Sequence, residues 1–252
     1  MENFEAGTIG TGFGQDHLSF WETVALTRWG QYVSSTEERI LLQAHELAGR
    51  HGRVLDYGCG EGRWSQMLSK LGWEPVCVDA DAGALAECQR RNSQFDCRLV
   101  DPENKNLPAE DRSVNLLLCV EVRSVLDSAW FQSEADRVLA DNGLIFGVAF
   151  NRNSFRGIYR HWMDRLTGRK GFYNQSFRSL KKSFARRDIH IVHAEGLCWF
   201  PLPRASNSAL VSAFTGLEKS LGLRSLLEFS PWVIFIAQRN PREAQAGRSS
   251  SR

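Results

Sequence analysis

Residues 54–64 read VLDYGCGEGRW. A short apolar run containing Asp56 precedes three glycines, Gly58, Gly60 and Gly62, and a segment with helical periodicity follows. Glycine lacks a Cβ and adopts backbone conformations that other residues avoid, so this spacing indicates a turn that approaches a ligand closely. The helix after such a turn offers free backbone N–H groups at its N-terminus. The stretch therefore predicts a ligand-binding loop between a strand and a helix.

Strand and helix signals alternate on both sides of this loop. Apolar runs predict seven strands, over 53–58, 74–80, 95–101, 114–121, 144–151, 188–197 and 230–239. Amphipathic runs predict helices between the first five strands, over 62–72, 81–91 and 127–139, with a DNG turn at 141–143. This alternation predicts an α/β fold with right-handed crossovers and a doubly wound, mostly parallel sheet.

A helix is also predicted upstream, over 34–48, and its start is assigned from a capping box. Ser35 and Glu38 are three residues apart, as in that motif. The Gly-rich residues 1–15 lack periodicity and predict a flexible arm, whereas PREAQAGRSSSR at the other end predicts a disordered tail.

The length and composition predict one large domain with extra segments. The chain has 252 residues, of which 42% are hydrophobic, enough for a full core. We expect an N-terminal arm and helix over 1–49, a domain over 50–240 and the tail over 241–252. Cap insertions are expected at 152–187 and 201–227.

The absence of a predicted membrane span or secretion signal, together with the cysteine pattern, predicts a cytoplasmic protein. No apolar run approaches the roughly 20 residues of a membrane span, and the N-terminus has no basic segment followed by an apolar one. None of the cysteines forms a CxxC pair, so we expect reduced, mostly buried thiols and neither a disulfide nor a metal site. The six are Cys59, Cys77, Cys88, Cys97, Cys119 and Cys198.

The glycine spacing separates two ligand classes. Dinucleotide-binding loops favour G-x-G-x-x-G, but here the spacing is G-x-G-x-G and position 63 is arginine. Asp56 lies two residues before the first glycine, and a carboxylate there suits a ligand with an ammonium group better than a pyrophosphate.

Three later segments extend the pattern. VCVDAD (76–81) ends the second strand, LCVEV (118–122) the fourth, and EADRVLADNGLIFGV (134–148) leads into the fifth. Over about residues 50–151 the chain resembles the class I S-adenosylmethionine-dependent methyltransferases, in their small-molecule, type 11-like branch. The resemblance implies a Rossmann-like, seven-stranded sheet with the last strand antiparallel, plus a helical cap inserted after the fifth strand. It also implies S-adenosyl-L-methionine as the cofactor.

The resemblance assigns roles to the loop residues. Asp56 and the backbone of Gly58, Cys59 and Gly60 are implied to face the methionine part of the cofactor. Asp79 is implied to accept both ribose hydroxyls, since a carboxylate has two acceptor oxygens.

The other implied cofactor contacts follow the second, third and fourth strands. Ala80 is implied to pack beside the adenine, and Cys119 and Glu121 to lie beneath the cofactor. An acid after the third strand is implied to accept the adenine amino group. Asp101 and Glu103 both fit that role, and Asp101 is favoured because it directly ends the strand.

The chain departs from the family pattern at two places. In DPENKNLP (101–108), Pro102 has no N–H to give the adenine. In EVRSV (121–125), Ser124 and Val125 stand where many relatives have a Glu-His pair, so a histidine base from that position is absent.

Residues 152–187 are strongly basic, with eleven Lys and Arg and a single acid, Asp164, although acids outnumber bases in the rest of the chain. An apolar helical stripe runs through 153–168, formed by Phe155, Ile158, Tyr159, Trp162, Met163 and Leu166. One interpretation is a cap helix packed on the core, with a solvated basic face. The other is docking to an anionic partner: a membrane surface, a lipid headgroup or a phosphorylated substrate. No nucleic-acid module accompanies the basic segment, which disfavours nucleic acid.

The sequence predicts methyl transfer by in-line displacement to a small-molecule or lipid-like acceptor, most plausibly at oxygen. The alternative is a non-catalytic S-adenosylmethionine-binding or membrane-surface interaction protein of the same fold. His17, His161 and Tyr173 are candidate bases that no motif places. Arg28, Trp29 and Tyr32 are candidates for closing over the methionine end or the substrate.

Overall fold

A computed structural model describes residues 20–49, 51–122, 125–168, 171 and 173–241. The predicted arm over 1–15, His17, Ser124 and nearly all of the predicted tail lie outside these residues.

One seven-stranded sheet organises the molecule. Its strands are β1 (Arg53–Tyr57), β2 (Glu74–Asp79), β3 (Asp96–Leu99), β4 (Val114–Cys119), β5 (Leu139–Phe150), β6 (Ile189–Leu197) and β7 (Trp232–Arg239). The spatial order is β3-β2-β1-β4-β5-β7-β6, in which β1 to β5 are parallel neighbours and β7 is antiparallel to β5 and β6. The predicted α/β, mostly parallel sheet with an antiparallel last strand is confirmed.

Helices cover both faces of this sheet. They are α1 (Phe20–Ala25), α2 (Arg28–Ala48), α3 (Arg63–Lys70), α4 (Ala82–Arg91), α5 (Ala129–Val138), α6 (Phe155–Thr167), α7 (Phe177–Ala185) and α8 (Leu210–Ser220), followed by a 3₁₀ turn, Leu223–Ser225. Along β4 the side chains alternate between two cores. Leu116 and Leu118 pack with Ile40 of α2, and Leu117 packs with Phe131 of α5. Both faces of β4 are therefore buried, as expected for a strand inside a doubly wound sheet.

The predicted start of α2 is wrong. The helix begins at Arg28, not at Ser34, because the Thr27 side chain caps it by accepting a 3.0 Å hydrogen bond from the Gly30 N–H. Ser35 lies inside the helix, where its hydroxyl donates to the Tyr32 carbonyl. The capping-box spacing is therefore present in the sequence but does not form a cap.

The residues predicted to form the DNG turn, 141–143, lie inside strand β5. β5 already begins at Leu139, and the register with β4 shifts between Val114 and Leu116, where residues 139–144 form an irregularity. Asn142 has a positive φ of 62°, which accommodates this local distortion. The residues predicted as a turn thus form a distorted part of the strand.

The two helices within 152–187 have different surroundings. In α7, Phe177 and Phe184 are buried against Phe235 of β7, with ring centroids 6.1 Å apart in each pair. In α6 the apolar stripe is exposed, and the interpretation that it packs on the core is wrong. Phe155, Ile158, Tyr159, Trp162 and Leu166 are 51% to 64% accessible. Among the described helices, none combines the length and the apolar character that crossing a bilayer would require.

Candidate functional site

The three loop glycines have different reasons to be glycine. All have positive φ angles, 81° at Gly58, 54° at Gly60 and 79° at Gly62. A Cβ at Gly58 would lie 2.3 Å from Val122 Cγ2, and one at Gly62 would lie 2.4 Å from Cys88 Sγ. A Cβ at Gly60 would meet no heavy atom of the described residues within 4 Å. Gly58 and Gly62 therefore permit close packing within the protein, and Gly60 faces open space.

The Asp79 carboxylate lies at the end of β2 and is oriented by the loop. Its Oδ2 accepts the Gly60 N–H at 2.8 Å and its Oδ1 accepts the Asp81 N–H at 2.9 Å. Each carboxylate oxygen has a second lone pair, so both oxygens keep the capacity to accept a ligand hydroxyl. The N–H groups of Gly58 and Cys59 donate to the Val78 carbonyl, which leaves neither of them for a ligand.

Asp56 is buried under the loop. Its Oδ2 accepts a 2.7 Å hydrogen bond from the Ser65 hydroxyl of α3. Burial raises the pKa of the Asp56 carboxyl to about 7, although the Ser65 hydrogen bond acts in the opposite direction. Because the charged form is costly to bury, a nearby cation would stabilise it.

Two further acids, Glu37 of α2 and Glu121 just after β4, lie close to each other. Burial raises the pKa of Glu37, as does the nearby Glu121, whereas Arg63 lowers it. Burial also raises the pKa of Glu121, which Arg204 and Arg63 lower, and Arg204 Nη1 lies 3.8 Å from Glu121 Oε2. Oε1 of Glu37 is buried and has no hydrogen-bond partner among the described residues. Glu121 was predicted to lie at the site, but Glu37 was not.

A cavity of about 60 Å³ lies beside Glu37 and Glu121, and residues of α2 form part of its wall. Trp29, Glu37, Arg63 and Glu121 contribute to its lining. Of the three residues proposed to close over the site, Trp29 lines this cavity.

The other two have different surroundings. Arg28 is exposed, and its backbone N–H donates to the Asn207 side chain. The Tyr32 hydroxyl donates to Glu218 of α8 at 2.5 Å, so it ties α2 to α8.

A smaller cavity of about 20 Å³ lies beyond the ends of β4 and β5. Its lining is largely apolar and includes Val122, Leu126 and Phe150. Asp127 and Gln175 add polar atoms, and burial raises the pKa of Asp127. Val122 also packs against the glycine loop, so the two sites are adjacent.

The remaining implied cofactor residues lie along the same edge of the sheet. Ala80 is exposed beside Asp79, and Cys119 is buried at the end of β4. Asp101 is exposed, and its Oδ1 accepts the Glu103 N–H at 2.9 Å. This turn keeps both acids near the end of β3, and the choice between them stays open.

The candidate bases are not brought together. Tyr173 is buried, its ring centroid is 6.0 Å from that of Phe150, and burial raises its pKa. His161 lies on α6 and contributes to neither of the cavities described above. His17 lies outside the described residues.

Comparisons with known proteins identify the family of one segment of the chain. Residues 54–143 match a family model described as "Methyltransferase domain", which confirms the predicted family for this segment. A Mycolicibacterium smegmatis protein named "Probable S-adenosylmethionine-dependent methyltransferase/" is 33% identical over 113 residues, 44% of this chain and 42% of that protein. A Mycobacterium tuberculosis protein of similar name is 31% identical over 103 residues, 40% of this chain and 37% of that protein. The chain thus spans less than half the length of the curated relatives it matches.

Solved structures confirm the fold. Geranyl diphosphate C-methyltransferase from Streptomyces coelicolor A3(2), in complex with S-adenosyl-L-homocysteine, is 18% identical with a TM-score of 0.56. That alignment covers 82% of this chain and 80% of the other. The [4+2]-cyclase SpnF is 16% identical with a TM-score of 0.55, over 81% of this chain and 80% of the other. The same fold thus occurs in proteins named for different reactions.

Proposed function

We propose that this chain, whose residues 54–143 match a methyltransferase domain model, binds S-adenosylmethionine along the carboxyl ends of β1 to β4 and transfers its methyl group. One observation carries the proposal. The Asp79 carboxylate is held beside the open face of the loop at Gly60, with a lone pair free on each oxygen. This arrangement suits two adjacent ribose hydroxyls.

The acidic groups suit the cationic end of the same ligand. S-adenosylmethionine carries an ammonium and a sulfonium, and it supplies an activated methyl group. Asp56 and Glu37 are buried carboxyls, and Glu121 beside Glu37 is only partly exposed, so a cation would stabilise the charged form of each. Trp29 and Arg63 line the cavity of about 60 Å³ beside Glu37 and Glu121. There Trp29 would exclude water, and Arg63 would contact the carboxylate of the ligand.

The acceptor in this proposal is a small or lipid-like molecule with an apolar body and a reacting oxygen. The apolar lining beyond β4 and β5 supports this class because it adjoins the loop through Val122, although the cavity of about 20 Å³ would have to widen to admit such a molecule. A bound cofactor would supply its methyl carbon to a lone pair of the acceptor oxygen, and S-adenosylhomocysteine would leave as the sulfur–carbon bond breaks. Asp127 lines the cavity, and its raised pKa suits it to take the hydroxyl proton.

The test uses methyl-labelled S-adenosylmethionine with fractionated small-molecule and lipid pools. We expect the wild type to label an extractable compound, Asp79→Ala to lose this labelling, and Asp127→Asn to lower the rate without weakening cofactor binding. Asp141→Ala is the matched control, because Asp141 is exposed in the early part of β5. Cofactor binding without transfer to any acceptor would favour the alternative, a non-catalytic protein of this fold.

We also propose peripheral contact with an anionic membrane through α6. Five large apolar side chains of this helix are more than half exposed, including Trp162. Arg152, Arg160 and Arg165 are exposed around the same helix, within the basic segment 152–187. A helix with an apolar face flanked by basic residues suits the interface of a bilayer that carries anionic headgroups.

Vesicle sedimentation tests this contact. We expect binding to phosphatidylserine-containing vesicles that weakens with salt, and at least tenfold weaker binding by Ile158→Ala/Trp162→Ala. Leu47→Ala, at an exposed position on α2, is the control. Equal binding to neutral vesicles, or no binding to either kind, would exclude the anionic membrane as the partner.

A further inference from the structure

Four cysteines surround the base of the glycine loop. The Sγ atoms of Cys59, Cys77 and Cys88 all lie within 4.8 Å of one another. Cys97 adds a fourth sulfur, whose Sγ is 3.8 Å from that of Cys88. The four residues come from the loop, β2, α4 and β3, and Cys77 is the register partner of Cys97.

The three sulfur atoms are close enough to bind one ion. For an edge of 4.8 Å, a point equidistant from three sulfurs lies about 2.8 Å from each, so inward shifts of about 0.5 Å give the zinc–sulfur length of about 2.3 Å. In a tetrahedral zinc site the sulfurs are about 3.8 Å apart. The observed separation of Cys88 and Cys97 matches that spacing.

The surroundings of the sulfurs favour a cation that binds thiolates. Cys88 lies close to all three of the other sulfurs: its Sγ is within 4.8 Å of those of Cys59 and Cys77 and 3.8 Å from that of Cys97. A metal ion would bind these sulfurs as thiolates and release their protons. Asp56 is a buried carboxyl near Cys59 and Cys77, so a cation bound by the sulfurs would have this acid as a neighbour.

We infer that Cys59, Cys77 and Cys88 form a binding site for a thiophilic cation of the Zn²⁺ or Cu⁺ class, with Cys97 as the fourth ligand for zinc. Soft thiolate ligands select these ions. The spacing of the cysteines along the chain argued against a metal site, but parallel strands and their helices bring distant positions together. An ion here would join the loop to α4 through Cys59 and Cys88.

Metal titration of the reduced 252-residue chain tests this site. Cd²⁺ serves as the spectroscopic probe for zinc, because thiolate ligands give it a charge-transfer absorption band. We expect one Cd²⁺ per chain with that band, and Zn²⁺ that displaces it. Cys88→Ser should weaken binding at least tenfold, whereas Cys198→Ser, at a buried cysteine outside the cluster, should bind as the wild type does.

Native mass spectrometry of the wild type gives a second measurement that needs no variant. It should count one zinc per chain after addition of one equivalent. The absence of both the absorption band and the bound zinc would overturn the inference. Equal weakening by Cys88→Ser and Cys198→Ser would also overturn it.

Discussion

Asp56 and Asp79 end neighbouring parallel strands, but their surroundings suit them to different tasks. Asp79 is half-buried and accepts two backbone N–H groups at the edge of open space. Asp56 is 3% exposed and accepts one hydroxyl hydrogen bond. Asp79 is therefore presented to a ligand, whereas Asp56 contributes a buried carboxyl whose charge depends on what binds above it.

The buried carboxyl makes stability depend on pH. Because the pKa of Asp56 is raised to about 7 in the folded state, the folded protein holds a proton that the unfolded chain releases above about pH 4. The contribution of this proton to the free energy of unfolding is fully present below about pH 4 and is lost as the pH rises through 7. It amounts to a total on the order of 4 kcal/mol. We expect the wild type to lose unfolding free energy relative to Asp56→Asn over this range. Urea denaturation of both proteins measures it, and parallel pH profiles would contradict the assignment.

Residues close in sequence were predictable, and residues joined only by the fold were not. The loop acid and glycines are adjacent in the chain, so their pattern was visible in VLDYGCGEGRW. Glu37 and Glu121 come from a helix and a strand end that are distant in sequence, and nothing next to Glu37 in the chain indicates that it faces Glu121. Burial of one carboxyl beside another requires the fold and has no local signal.

At the scale of elements, the start of α2 shows how hydrogen bonding outweighs spacing. The Thr27 hydroxyl accepts the Gly30 N–H and donates to the Val24 carbonyl at 2.7 Å, joining the ends of α1 and α2. Gly30 fits because a Cβ there would lie 1.9 Å from the Val24 carbonyl oxygen. The tight connection between the two helices therefore fixes where α2 begins.

This cap leads to a paired prediction. Thr27→Ala should lower the unfolding free energy by about 1 kcal/mol or more, because a helix cap and a second hydrogen bond are lost. Ser35→Ala should have almost no effect, since Ser35 is exposed inside the helix and alanine favours helices. Thermal and urea unfolding of both variants measure the difference. A larger loss for Ser35→Ala would restore the capping box as the helix start.

At the scale of the whole molecule, two similar amphipathic helices differ in whether their apolar faces are buried. The stripes of α6 and α7 look alike in the sequence, yet α7 packs on Phe235 and α6 does not reach the core. Periodicity predicts that a helix has an apolar face. Which of two such helices packs on the sheet depends on the tertiary structure. The alternation of strands and helices predicted a mostly parallel sheet, and the family resemblance implied its antiparallel last strand. The position of α6 depended on the tertiary structure.

A buried arginine joins the last strand to the rest of the sheet. Arg239 is 1% exposed, its Nη1 donates to the Leu139 carbonyl at 2.6 Å, and its Nη2 lies 3.1 Å from Asp136 Oδ1. Arg239→Ala should lower the unfolding free energy by about 3 kcal/mol, because it breaks a buried ion pair and leaves polar atoms unpaired. Arg90→Ala, at an exposed pair with Glu87, should cost less than about 1 kcal/mol. Equal losses in urea denaturation would contradict this assignment.

The most direct test of the central claim is calorimetric titration of S-adenosylmethionine into the wild type, Asp79→Ala and the control Asp141→Ala. We predict binding by the wild type and the control, and binding at least tenfold weaker in Asp79→Ala, which is about 1.4 kcal/mol. Circular dichroism verifies that each protein is folded. A folded wild type that does not bind, or an Asp79→Ala variant that binds as tightly as the wild type, would contradict the proposed cofactor site.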